Sequence, residues 1–345
     1  MARCHRRLWS DPSAAGRWRR RSLGVLLALL VASAPAQAQQ DRIDDILAAI
    51  VGVNADVPAT ARTADTLGTS RAGSGVVIDG NGLVLTIGYV ILESGITDIV
   101  DAGGKTIPAD VVAYDYESGF GLLRALQPLA VRPMELGDSA ALTLLQQVLV
   151  VSRAAGTVEA TPDLVASRRE FAGYWEYLLA DAIFTAPVHR SFAGAALIDR
   201  EGRLVGIGSL FIGDAAGTDT PTPGNMFVPI DALKPILAEL VAEGRRKQTG
   251  HPWLGLFAEP RPGGIRIASV AREGPAERSG LKQGDLITAV AGQPVSDLGD
   301  FYRRMWALGP PGIDVPLSVR RSGGALDITV RSADRYDWLR LDPTY

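Results

Sequence analysis

Short apolar runs separated by glycine-rich turns dominate the middle of the chain. Between Val51 and Val228 these runs are rich in valine, isoleucine and leucine, and Asp79 to Gly82 is typical of the turns between them. Regularly spaced short strands of this kind predict a mainly β fold built from barrels. Two stretches have helical spacing instead. Residues 41–50 predict a short amphipathic helix, and residues 230–244 predict a helix that ends at a glycine.

A change of pattern in the last third of the chain predicts a second domain. Gly250 and Pro252 follow a charged run and mark a linker, and the new domain begins near Trp253. Within it, Pro275 suits the first position of a short helix, and Ser296 or Asp297 suits the N-cap of a longer one. The predicted boundaries are 39–246 and 250–333, followed by a C-terminal tail at 334–345.

The first 38 residues have the features of a secretory signal peptide. Arginines precede an apolar run from Leu23 to Val31, and Ala36 to Ala38 provide a small-residue cleavage site. The apolar run is too short for a stable bilayer span, although an uncleaved signal anchor is the alternative. We expect cleavage, export to the periplasm, and no membrane span in the mature protein.

Charge, cysteine and histidine content narrow the class of partner and cofactor. The chain has a formal net charge of −3, and because its leader holds seven arginines and one aspartate, residues 39–345 carry nine net negative charges. This acidity argues against nucleic acid or an anionic membrane as the target. The single cysteine, Cys4, lies in the leader, and only His189 and His251 follow the leader. A zinc site needs three or four converging ligands, so we expect no metal and no cofactor.

Glycine, aspartate and small residues recur at fixed positions in five blocks of the chain. They are Gly73 to Asp79, Gly82 to Val90, Asp115 to Leu123, Ser191 to Asp199, and Gly202 to Ile207. This spacing resembles the patterns G-S-G-x-x-x-D…G-x-x-x-T-x-x-H-V, D-x-x-x-D-x-A-L-L and G-N-S-G-G-x-L-x-x…G-x-x-x-G-I of the HtrA (Deg-type) trypsin-like serine proteases. The resemblance implies a chymotrypsin-like double β-barrel in residues 39–246. It also implies trimer contacts through the segment before the first barrel.

The chain departs from this family at the positions of the catalytic triad. Where the family has histidine, aspartate and serine, this chain has Tyr89, Gly119 and Ala193. Acyl transfer in this fold needs a serine activated by an imidazole that a carboxylate orients. Ser191 also replaces the glycine of the family's oxyanion hole. The prediction is an inactive homologue that is not an enzyme. The alternative is a serine-type endopeptidase with residual or unconventional activity. A pair formed by His189 and Ser191 is a candidate for it, whereas an exposed or partly packed loop histidine is the favoured interpretation of His189.

Residues 269–287 resemble the PDZ pattern S-x-x-x-x-S-P-A-x-x-A-G-L-x-x-G-D-x-I. The resemblance implies a domain that adds an extended peptide to a sheet edge and captures its terminal carboxylate. The carboxylate loop would be formed by the run Trp253, Leu254, Gly255, Leu256. Leu298 and Tyr302 are candidates for the opposite wall of the groove, and helical periodicity leaves open which residues of that helix face the core.

The predicted partners follow from the PDZ resemblance. We expect peptides or protein C-termini as ligands, an active protease as a further partner, and a homo-trimer as a possible assembly. The predicted function is an exported adaptor, protease regulator or chaperone-like binder in envelope protein quality control. The aromatic cluster at residues 174–177 is interpreted as barrel packing or a loop hydrophobe, and its departure from the family spacing suggests a remodelled regulatory loop.

Overall fold

The computed structural model describes residues 39–154, 156–247 and 250–341. The predicted signal peptide lies outside these ranges. Residues 39–48 form helix α1, close to the helix predicted at 41–50. Residues from Leu47 onward form one compact unit, and this unit contains the strands given below.

Six antiparallel strands close into the first barrel, in the order β1-β2-β3-β6-β5-β4. Their bounds are Ile50–Asp56 (β1), Ser70–Val77 (β2), Leu83–Ile87 (β3), Ile96–Val100 (β4), Thr106–Tyr114 (β5) and Phe120–Ala125 (β6). Two short helices, α2 (Ala64–Leu67) and α3 (Gly88–Ile91), lie in the connections. Apolar side chains such as Leu85, Ile99 and Leu122 are fully buried, because a closed barrel keeps one side of each strand away from water.

The second barrel has the strand order β10-β11-β12-β9-β8-β7 and is also closed. Its strands are Gln147–Ala154 (β7), Thr157–Gly173 (β8), Tyr177–Ala186 (β9), Ala196–Ile198 (β10), Leu204–Ile212 (β11) and Gly224–Pro229 (β12). β8 is the longest at 17 residues, and it pairs with β9 up to the opposed residues Gly173 and Tyr177. The aromatic run predicted as barrel packing therefore forms the tip of a long hairpin.

The helix predicted over residues 230–244 is divided in the structure. A 3-10 turn covers Ile230–Ala232, and α4 covers Leu237–Glu243. Pro235 lies between them, where its missing N–H removes a donor from a continuous helix. The predicted glycine end is confirmed, since Gly244 is the C-cap with a φ of 72°.

The C-terminal domain is a sheet with the order β13-β14-β15-β17-β18, and β16 pairs with β15. Its strands are Leu256–Arg261 (β13), Gly264–Val270 (β14), Leu286–Val290 (β15), Gln293–Pro294 (β16), Asp314–Arg321 (β17) and Gly324–Arg331 (β18), and its helices are α5 (Pro275–Arg278) and α6 (Leu298–Trp306). Of the two predicted N-cap residues of α6, Ser296 and Asp297, the cap is Asp297, because its side chain accepts a hydrogen bond from the Asp300 amide.

Both ends of this C-terminal domain are attached to the first barrel. Before it, Arg246 Nη2 lies 2.6 Å from Asp115 Oδ2. After it, the predicted tail contains helix α7 (Arg335–Trp338), from which the Tyr336 hydroxyl donates a 2.8 Å hydrogen bond to the Tyr114 carbonyl. The amide of Arg340 then donates to the buried carboxylate of Glu93 at 2.7 Å.

Candidate functional site

The three triad positions of the resembled family lie where the two barrels meet. Tyr89 is in α3, Gly119 is in the turn between β5 and β6, and Ala193 is in the turn before β10. The Gly88 amide donates to the carbonyl of Gly119 at 2.7 Å, and the Ser74 amide donates to the carbonyl of Ala193 at 2.8 Å. The chain therefore brings the three positions to the joint between the barrels.

Tyr89 connects the two barrels through its hydroxyl group. This hydroxyl donates a 2.8 Å hydrogen bond to the carbonyl of Ser209 in β11. The pairing of β11 with β12 shifts register between Gly208 and Leu210, so the bulge places the carbonyl of Ser209 outside the regular ladder. Burial raises the pKa of the Tyr89 phenol, which keeps it a neutral donor rather than a base.

The space beside Gly119 is taken by Tyr177, a residue that sequence reasoning did not connect with this position. The Tyr177 hydroxyl donates a 2.8 Å hydrogen bond to the carbonyl of Ser118. A Cβ atom at Gly119 would lie 3.5 Å from that hydroxyl, and the φ of Gly119 is +87°. Glycine is therefore favoured here by backbone conformation more than by lack of room.

His189 forms a buried cluster with two hydroxyl groups. Its Nε2 lies 2.8 Å from Ser152 Oγ, and its Nδ1 lies 2.8 Å from Thr161 Oγ1. Ser191 instead donates to the carboxylate of Glu159 at 3.0 Å. The candidate pair of His189 and Ser191 is not formed, because the imidazole turns inward and contacts Ser152 and Thr161 of the barrel strands. Burial also lowers the pKa of His189, which favours its neutral form.

The predicted carboxylate loop holds a carboxylate in this structure, and the group is the side chain of Glu176. The amides of Leu254, Gly255 and Leu256 donate hydrogen bonds to its two oxygens, at 2.9, 2.7 and 2.6 Å. Gly255 has a φ of +83°, a conformation that glycine adopts without strain and that turns these amides toward one point. Burial raises the pKa of Glu176 to about 7, although the three amides and Arg335 lower it.

Of the other predicted groove residues, Tyr302 contacts the same hairpin tip. Tyr302 is fully buried, and its hydroxyl donates to the carbonyl of Gly173 at 2.7 Å while accepting from the amide of Glu176 at 3.2 Å. Leu298 is buried in the core of the domain. Trp253 is also buried, and its ring lies 4.8 Å from that of Trp338. Leu254, Leu256, Leu298 and Tyr302 thus share the core of this domain, and the hairpin tip contacts Tyr302 and the loop amides.

The described residues contain no group of three or more histidine, cysteine, aspartate or glutamate side chains suited to hold a metal ion. His251 stacks on Trp306 with ring centres 4.2 Å apart. Within residues 39–154, 156–247 and 250–341, every helix is too short or too polar to cross a bilayer.

Comparison with known proteins gives matches for both parts of the chain. The family model for the trypsin-like peptidase domain matches residues 73–207, and that for the PDZ domain matches residues 252–331. The Serine protease Do-like HtrA of Lactobacillus helveticus is 28% identical over 287 residues, covering 77% of this chain and 69% of that protein. The Periplasmic serine endoprotease DegP of Salmonella typhimurium is 24% identical over 277 residues, covering 75% of this chain and 56% of that protein.

Among solved structures, an HtrA-type protease AlgW with a decapeptide has a TM-score of 0.51 at 20% identity, covering 86% of this chain and 98% of that one. Fold and domain matches together define a trypsin-like peptidase domain followed by a PDZ domain. The chain belongs to the HtrA family. It spans about two thirds of the Lactobacillus relative and just over half of the Salmonella one.

The prediction that the chain is not an enzyme is contradicted by these relatives. Both are named as serine proteases, and the family points to protease activity. The error was to equate the exchange of three side chains with loss of activity in the whole protein. Ala193 presents only a methyl group, so hydrolysis by this chain would need a nucleophile other than the side chain at position 193.

Proposed function

We propose that this chain is an HtrA-type peptidase-family protein of envelope quality control that captures peptides or protein C-termini through its PDZ domain. The observation that carries the proposal is the carboxylate held by the amides of residues 254–256. Capture of a terminal carboxylate by loop amides is a recurring mode of peptide recognition. A solved relative of this fold contains a bound decapeptide, which supports the same ligand class.

The proposal places the protein in the periplasm. The Salmonella relative is named as a periplasmic endoprotease, and the leader has the pattern of a secretory signal. In that compartment, capture of exposed C-termini suits an adaptor, a regulator of a second active protease, or a chaperone-like binder. A homo-trimer would present three such PDZ sites and increase avidity for a misfolded client.

Binding of the terminal carboxylate is tested with paired peptides. A pool of dye-labelled random decapeptides is prepared with a free C-terminal carboxylate and, separately, with a C-terminal amide. The immobilised protein, residues 39–345, should retain the free-acid pool and release the amidated one. Equal retention of both pools would show that the loop amides do not select a carboxylate and would refute the proposal.

A second candidate function is peptide hydrolysis by an unconventional group, and the cluster around His189 is the observation that favours it. Ser152 Oγ and the imidazole Nε2 have the separation of a nucleophile and its base. Thr161 fixes the other ring nitrogen. Both Ser152 and His189 are fully buried, so a substrate can reach them only after the residues that cover the pair move away.

Hydrolysis is measured with casein and with a peptide library. The wild-type chain should cleave, Ser152→Ala and His189→Gln should lose most of that activity, and Ala193→Gly should retain it. Cleavage that persists in both the serine and the histidine variants would refute a catalytic role for Ser152 and His189. The Ala193→Gly variant separates this proposal from one that depends on the family's nucleophile position.

A further inference from the structure

We propose that the tip of the β8–β9 hairpin is a built-in ligand of the PDZ groove, with the Glu176 side chain in the place of a peptide's terminal carboxylate. An external peptide would therefore bind only after it displaces this tip. The inference rests on the proposed PDZ function and names how that function is regulated. Three independent sets of contacts support it.

The first set is the carboxylate site itself. Three consecutive amides, from Leu254 to Leu256, donate to the two oxygens of Glu176. Three converging N–H donors favour a carboxyl group as their acceptor, and an incoming carboxylate would need the same three donors. Only one carboxylate can occupy them at a time, so internal and external ligands exclude each other.

The second set is main-chain pairing at the sheet edge. β13 is the outer strand of its sheet, which is where a bound peptide would be added as a further strand. The amide of Ala258 in β13 donates a 2.8 Å hydrogen bond to the carbonyl of Tyr174. Tyr174 lies two residues before Glu176, so the carboxylate and backbone contacts both come from the three-residue turn at the hairpin tip.

The third set lies on the opposite wall, helix α6. The Tyr302 hydroxyl contacts both the carbonyl of Gly173 and the amide of Glu176. Further along the hairpin, Glu170 Oε2 lies 2.5 Å from Arg303 Nη1. The tip is thus held between β13 and α6, the two elements that border the predicted peptide groove.

The backbone conformation of Glu176 also indicates that its side-chain contacts hold the turn in place. Its φ is 57°, in the left-handed region where glycine is favoured in a three-residue hairpin loop. Side chains in such conformations persist where surrounding contacts hold them, often at functional sites. Glu176→Gly therefore removes the carboxylate while retaining the turn, which makes it the variant of choice.

The proposal predicts the direction of the change in affinity. When the competent state of a receptor is only a fraction of the population, its apparent dissociation constant is raised by the inverse of that fraction. Removal of the internal carboxylate should abolish most of this competition. We expect Glu176→Gly to bind the free-acid decapeptide pool about tenfold or more tightly than the wild type, and Glu176→Gln to lie between them.

The experiment measures retention of the free-acid and amidated pools by wild type, Glu176→Gly and the matched charge control Glu243→Gln, which alters an exposed carboxylate of α4. Higher affinity in Glu176→Gly, with the control unchanged, supports the proposal. Equal affinity in all three chains overturns it and leaves PDZ capture standing. Failure of every chain to retain the free-acid pool overturns PDZ capture and the internal ligand together.

Hydrogen exchange gives a second readout that needs no peptide. In the wild type, the amides of Leu254, Gly255, Leu256 and Ala258 should exchange slowly because the hairpin tip protects them. In Glu176→Gly the same amides should exchange faster, while amides of the barrel strands keep their rates. Unchanged protection of the loop amides in this variant would overturn the proposal.

Discussion

Asp163 is a carboxyl group enclosed in the second barrel, and its replacement by asparagine should change how stability depends on pH. Only 2% of the residue is exposed. Its Oδ2 accepts a 2.6 Å hydrogen bond from the hydroxyl of Thr185, whereas its Oδ1 has no hydrogen-bond partner among the described residues. Burial raises the pKa of this group from the ordinary 3.8 to about 6, with the Thr185 hydroxyl acting in the opposite direction.

The sign and size of the effect follow from this difference. The folded chain binds the proton of Asp163 more tightly than the unfolded chain, so the contribution to stability is complete below about pH 4 and is lost as pH rises through 6. The difference between about 6 and 3.8 corresponds to about 3 kcal/mol. Of this, about 2 kcal/mol should be lost between pH 4 and pH 7.

Urea unfolding at several pH values measures the effect. The free energy of unfolding of Asp163→Asn relative to wild type should shift in favour of the variant by about 2 kcal/mol from pH 4 to pH 7. Asp219→Asn, which alters an exposed loop carboxylate, should show no comparable shift. A difference between Asp163→Asn and wild type that stays constant over this range would refute the reasoning.

Two further predictions concern the groove and the joint between the barrels. Gly255→Ala, made in the Glu176→Gly chain, forces a side chain to a φ of +83°. Because that conformation costs about 1 to 2 kcal/mol, retention of the free-acid decapeptides should weaken about tenfold. Unaltered retention would contradict the role of the loop amides. Tyr89→Phe leaves the carbonyl of Ser209 without its hydroxyl donor. The free energy of unfolding, measured by urea denaturation, should fall by about 1 to 3 kcal/mol. Equal stability would show that the bulged carbonyl finds another partner.

Local sequence signals predicted most of the architecture. Glycine-rich turns between valine-rich runs located the barrel strands, and the capping residue types at 296 and 297 located the start of α6 to within one residue. The continuous helix predicted across Pro235 was wrong because the apolar spacing was given more weight than the missing amide donor. The grouping of the loop residues with Leu298 and Tyr302 followed from the resemblance to PDZ domains.

The occupant of the groove could not be predicted in the same way. Glu176 and Gly255 are separated by 79 positions, and their contact depends on how the hairpin packs against a different domain. The aromatic residues beside Glu176 gave no preference between a barrel core and a surface loop. Its left-handed backbone conformation, the clearest local sign of a special role, is visible only once the hairpin register is known.

The two attachments of the PDZ domain to the first barrel have a kinetic consequence. Arg246 fixes the chain as it enters this domain, and Arg340 fixes it as it leaves. A peptide that displaces Glu176 therefore releases a hairpin that stays within a short radius of its receptor. When the peptide dissociates, the tip can return without a diffusional search, because its effective concentration stays high. After each peptide dissociates, the hairpin tip therefore rebinds and the groove returns to the same occupied state.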